Sequence, residues 1–190
     1  QAYDLYVEQI LKSRSDNKAN QQANFSALRN YATYGTYNPT RNILSEKALK
    51  AMDPQELLTM LKSLKNYKMT VLYYGPSSLK AIDQLVTKTV QSPKTFAAVP
   101  AQKRYVEQTT PKNEVVIAPY DAKNIYMVQL HNENQEWSAD RAPVIALFNE
   151  YFGGSMNAIV FQELREARGL AYSAFARYDE PYRLGDKESF

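Results

Sequence analysis

Residues 153–172 read GGSMNAIVFQELREARGLAY, and no other stretch restricts the fold of this chain as tightly. Two glycines, an apolar-periodic run, a single glycine and an alternating run follow one another within twenty residues. Gly153 and Gly154 admit backbone angles that other residues avoid, which predicts the end of a preceding helix. Ser155 is a good N-cap for the next one. Ile159, Val160, Phe161 and Leu164 recur at three- and four-residue spacing, as in a helix packed on one face. Gly169 then stands where a left-handed C-terminal cap sits. Beyond it, Leu170, Tyr172, Ala174 and Ala176 alternate as one face of a strand.

This reading puts Arg165 in the last turn of the helix and Tyr172 just inside the strand. A tight helix-to-strand turn brings two such side chains toward one point. Arginine is a permanent planar cation and tyrosine a neutral hydroxyl donor. Together they suit a carboxylate, or a carbonyl oxygen that is becoming negative. Spacing alone leaves a second explanation open, because an arginine late in a helix meets the helix dipole and a tyrosine early in a strand packs.

The longer segment 147–173, LFNEYFGGSMNAIVFQELREARGLAYS, resembles the insulinase-like zinc metallopeptidases, with which pitrilysin and the mitochondrial processing peptidases belong. Their non-zinc homologous unit carries a helix ending in Gly-Gly, a further helix, and an Arg-Glu-x-x-Gly-Leu-Ala-Tyr run. Here that run is Arg165, Glu166, Ala167, Arg168, Gly169, Leu170, Ala171 and Tyr172. Residues 52–91 resemble the end of the preceding unit. The resemblance implies a processing-peptidase-like metallohydrolase fold and zinc-dependent peptide cleavage in a two-halved chamber. The zinc belongs to a unit with a His-x-x-Glu-His helix. By motif position, the resemblance implies that Arg165 and Tyr172 would hold the substrate near the scissile bond.

The sequence departs from the zinc-bearing pattern. His131 is its one histidine and cysteine is absent, whereas a zinc site takes about three protein ligands, normally including two His or Cys. The stretch corresponding to the zinc helix, 144–150, reads VIALFNE and offers no ligand pair. The chain alone is expected to bind no catalytic zinc and to cleave nothing, with zinc a cofactor of the parent enzyme. The implied partners are a peptide or unfolded polypeptide substrate and the remaining homologous units, or a catalytic partner subunit. A non-catalytic binding or scaffolding subunit of the same family is the alternative.

The pattern along the chain predicts an α+β fold with mixed, mainly antiparallel sheets and helices packed on one face. Helices are expected over 2–13, 21–34, 45–51, 54–64, 78–89 and 143–152. The sequence Asp53-Pro54-Gln55-Glu56 is a strong helix start. Strands are expected over 68–74, 114–118, 125–131 and after Gly169, and 178–190 reads as a turn leading to another. Residues 1–92 read as the C-terminal part of one unit, 93–102, with Pro93 and Pro100, as a linker, and 103–190 as the N-terminal part of a zinc-less unit. The chain starts at Gln1 and stops soon after an expected strand, which reads as a portion of something larger; unpaired strand edges at such a cut predict self-association.

Composition excludes more than it assigns. Net charge is +3 over 190 residues with both signs interspersed, which gives no footprint for nucleic acid. No apolar run is long enough for membrane insertion. Tyr73-Tyr74-Gly75-Pro76-Ser77 ends a strand pattern at a glycine but lacks the glycine-rich, lysine-bearing sequence of a phosphate loop.

Overall fold

The computed structural model describes residues 2–90, 93–180 and 187–188. Its helices begin where local chemistry starts them. Helix α1 is Ala2–Lys18 and α2 is Gln21–Tyr34; the Asn20 side chain between them accepts the Ala23 N–H at 2.9 Å. Helix α3, Glu46–Ala51, is capped by Ser45, whose Oγ accepts the Ala48 N–H. Helix α4, Pro54–Ser63, has Asp53 at its cap and Pro54 in its first turn, and a 3-10 turn, Leu64–Asn66, closes it. Ser78 caps α5, Leu79–Thr89. Each cap satisfies a first-turn N–H that has no partner inside the helix.

The C-terminal helices are wound differently. Helix α6, Ala142–Phe148, widens into a π-helical turn, Asn149–Gly153. Helix α7, Ile159–Phe161, widens into a second, Gln162–Ala167. Ser155 does not cap α7. That place belongs to Ala158, fully buried and without a side-chain cap bond, while the Ser155 Oγ donates to the Glu150 carbonyl at 3.5 Å. The glycine pair is followed by a turn, in which the Ala158 N–H returns to the Ser155 carbonyl at 3.1 Å, and this moves the helix start three residues onward.

The expected α+β architecture is not what the chain adopts. Among the described residues the strands are β1, Gln135–Glu136, and β2, Lys187–Glu188, paired antiparallel with Gln135 opposite Glu188 and Glu136 opposite Lys187. Segments 68–74, 114–118, 125–131 and 170–176 carry neither ladder nor helix. A strand is held by its neighbours, and an alternating pattern supplies a face without supplying a partner. Helix starts, by contrast, are encoded within four residues of the cap. Ile125 and Met127 accordingly stand exposed. Of the turn and strand expected over 178–190, residues 181–186 and 189–190 lie outside the described residues.

The chain divides into two compact units. One comprises Gln1–Ser15 and Leu44–Arg104. Among the described residues, Val7 and Leu49 are its buried apolar side chains; the Tyr3 hydroxyl donates to the Leu49 carbonyl at 2.8 Å and Arg14 to the Leu44 carbonyl at 2.8 Å.

The other comprises Asp16–Ile43 and Tyr105–Phe190, and it contains the candidate site. Where a sheet was expected, side-chain amides and hydroxyls join its segments. Asn132, buried, donates to the Gln108 carbonyl at 3.2 Å, and its own N–H reaches the Thr110 hydroxyl at 3.0 Å. Asn38, also buried, donates to the Gly35 carbonyl and accepts the N–H groups of Thr40 and Arg41. These bonds satisfy backbone groups that lie in no helix or ladder. Tyr105 packs beside Tyr34 and Tyr37, and burial, with Glu107 nearby, pushes the Tyr34 hydroxyl above its ordinary pKa of 10.0.

Candidate functional site

The site is built on the turn that leaves the second π-helical segment. Gly169 takes φ +60°, the left-handed angle expected of a helix-stopping glycine. Its N–H returns to the Arg165 carbonyl at 3.1 Å, and the Leu170 N–H returns to the Leu164 carbonyl at 2.8 Å. Both carbonyls belong to the last turn and would otherwise face outward unpaired. The chain thus reverses tightly between Arg165 and Tyr172.

The reversal brings the two predicted side chains together. The guanidinium carbon of Arg165 lies 4.6 Å from the centroid of the Tyr172 ring. It also lies 4.7 Å from the centroid of Phe161, one helical turn earlier. A guanidinium this close to an aromatic face is attracted by the ring quadrupole, by about 0.5–1 kcal/mol at an exposed site. Arg165 keeps 35% of its side-chain surface accessible, and its Nε is 3.5 Å from a carboxylate oxygen of Glu166. Tyr172 is 85% exposed. The pair is therefore wet rather than sealed, with the guanidinium over the face of the phenol ring. Such a pair can donate to a carboxylate or to a carbonyl oxygen.

Three supporting residues escaped the motif. Phe161 stands four before Arg165, so helical spacing was the signal for its contact. Asn149 is a lone amide in an apolar run, FNEYF; its side chain donates to the Tyr178 carbonyl at 3.0 Å and accepts the Tyr178 N–H at 2.7 Å. Tyr178 in turn donates its hydroxyl to Glu133 at 2.7 Å and meets the Phe148 ring edge-on. Nothing in the spacing of the sequence announces these contacts, because they join residues 29 and 45 positions apart.

Gly153 has a different task from the one its place in a Gly-Gly pair suggests. A side chain there would meet the backbone of Ala176 at 2.3 Å. The position is glycine because another stretch of backbone crosses it, and the Ala176 N–H points at the Gly153 carbonyl from 3.4 Å.

The residues present do not fit a zinc site. His131 is the single histidine of a chain without cysteine, and its Nδ1 lies 3.1 Å from the Thr110 hydroxyl. Among the described residues no three His, Cys, Asp or Glu side chains gather as metal ligands. No helix among them is long and apolar enough to cross a membrane.

A search of curated proteins finds no match to this chain. Residues 52–186 match the family described as the peptidase M16 inactive domain, and the matched span takes in the Gly-Gly pair, both π-helical turns, Arg165 and Tyr172. The chain therefore belongs to the insulinase-like M16 peptidase family, as a member of its inactive domain.

Proposed function

We propose that this chain is the substrate-holding, non-metal part of a zinc-dependent endopeptidase, with Arg165 and Tyr172 as the residues that grip the peptide. The observation that carries the reading is the approach of the Arg165 guanidinium to the Tyr172 ring, 4.6 Å, on a turn where both remain accessible. Peptide backbone offers carbonyl oxygens, and a cleaved or terminal peptide offers a carboxylate; a planar cation and a hydroxyl donor suit both. Ring contacts limit the postures open to the guanidinium, so less side-chain freedom is lost when a ligand arrives. Hydrolysis itself is assigned to a zinc-bearing counterpart, since the donor set of this chain does not suit the metal.

The test uses this chain assembled with its metal-bearing counterpart, through peptide turnover and thermal melting. Arg165→Ala is expected to lower turnover by about 100- to 1,000-fold, the usual cost of losing a donor to a developing oxyanion. Tyr172→Phe, which keeps the ring and removes the hydroxyl, is expected to lower it in the same direction. Neither should move the melting temperature by more than a few degrees, because neither side chain is buried. Unchanged turnover in both variants would defeat the proposal and favour a scaffolding subunit.

A further inference from the structure

Tyr172 does not reach Arg165 through the turn alone. The segment that carries it is tied at both ends. At one end the Leu170 N–H is bonded to the Leu164 carbonyl at 2.8 Å. At the other, the Ala176 N–H faces the Gly153 carbonyl at 3.4 Å, and two residues later the Asn149 amide grips Tyr178 through both its N–H and its carbonyl. Asn149 and Gly153 are the first and last residues of one π-helical turn, Asn149–Gly153. Helix α7 packs against that turn and runs into the π-helical segment bearing Arg165. The same short turn thus holds the helix that carries Arg165 and the strand-like segment that carries Tyr172.

We infer that Asn149 is a positioning residue: its two-bond clamp on Tyr178 sets the run of residues 170–178 and so holds Tyr172 beside Arg165. The inference deepens the substrate-holding reading and takes its functional meaning from it. A primary amide is the natural group for this task, because it donates and accepts in one plane and matches a backbone N–H and C=O together. Alanine removes both bonds. Aspartate keeps the acceptor for the Tyr178 N–H and loses the donor to the Tyr178 carbonyl.

The readout is the Arg165 Nε–Hε resonance of the full chain, assigned with Arg165→Lys. Ring currents from Phe161 and Tyr172 displace it from the position of an exposed arginine, and Tyr172→Ala marks its position without the tyrosine ring. Asn149→Ala is expected to carry the resonance most of the way to the Tyr172→Ala position. Asn149→Asp should leave it between that position and wild type. A folded Asn149→Ala protein with the wild-type Arg165 resonance overturns the inference. If Asn149→Ala does not fold, an unmoved resonance in Asn149→Asp overturns it instead.

In the assembled peptidase, Asn149→Ala should lower kcat/KM by about tenfold and add nothing further in a Tyr172→Ala background, the non-additivity of residues acting as one unit. The resonance needs no peptide. A clamp that moves Tyr172, with no effect of Tyr172 on turnover, therefore removes the substrate-holding proposal and leaves the positioning intact.

Discussion

Three glycines of the matched region do different work, and substitution separates them. Gly169 sits at φ +60° with nothing within 4 Å of where a side-chain carbon would be placed. Gly169→Ala therefore meets only the left-handed backbone cost, about 1–2 kcal/mol. Gly153 faces the backbone of Ala176 at 2.3–2.6 Å. Backbone cannot rotate aside as a long side chain can, so Gly153→Ala is expected to lose more stability than Gly169→Ala, at or above the 1–3 kcal/mol usual for overpacking. Urea unfolding of the two variants checks the order, and equal midpoints contradict it. Gly154 meets the Asn149 carbonyl at 2.6 Å, a contact within the same turn. At this scale the Arg165 and Tyr172 pair was legible from the motif, because the turn between them is local. Its ring neighbour Phe161 was legible only as an apolar helix residue.

Among the elements, helices α2 to α5 rest on capping chemistry. The Asp53 carboxylate accepts the Gln55 N–H at 2.9 Å at the head of α4, and Pro54 needs no partner for a missing N–H. Asp53→Ala is expected to destabilise its unit by about 1 kcal/mol, and Asp53→Asn, which also accepts, by much less. Melting curves of both variants decide it, and equal losses would show that the cap bond is not responsible. Ser155→Ala should be near neutral by contrast, since the Ser155 hydroxyl makes only a 3.5 Å contact with the Glu150 carbonyl. Helix starts were readable because cap, first turn and apolar stripe fall within one short window. The π-helical turns after Phe148 and Phe161 were not. Widening a turn depends on what the extra residue touches, and Asn149 touches Tyr178, 29 positions away.

For the molecule as a whole, a donor inventory governs the metal chemistry. One histidine, bonded at Nδ1 to Thr110, and no cysteine cannot assemble the two or three nitrogen or sulfur ligands that zinc prefers. Metal analysis of the purified chain is expected to find far less than one zinc per molecule, and chelators should leave its melting temperature unchanged. Stoichiometric zinc with a chelator-dependent melt would contradict this. Residues 16–43 group with residues 105–190 in one compact unit, and residues 1–15 with 44–104 in the other. In that C-terminal unit Tyr120 donates to the Ala19 carbonyl and Gln21 to the Asn124 carbonyl.

The amino-acid sequence alone determined what depends on neighbours within a few residues: the helices over 21–34, 45–51, 54–64 and 78–89 to within a residue or two, the Asp53 cap, the left-handed stop at Gly169, and the family motif with its arginine and tyrosine. It also determined what depends on inventory, the lack of zinc donors. Tertiary structure decided whether alternating runs would find strand partners. Among the described residues the runs over 68–74, 114–118, 125–131 and 170–176 found none, and the ladder that forms joins β1 to β2 instead, since pairing requires a second segment at hydrogen-bonding distance and alternation encodes only a face. It decided likewise that Gly153 lies under a crossing backbone and that Asn149 holds Tyr178, contacts set by where distant segments meet.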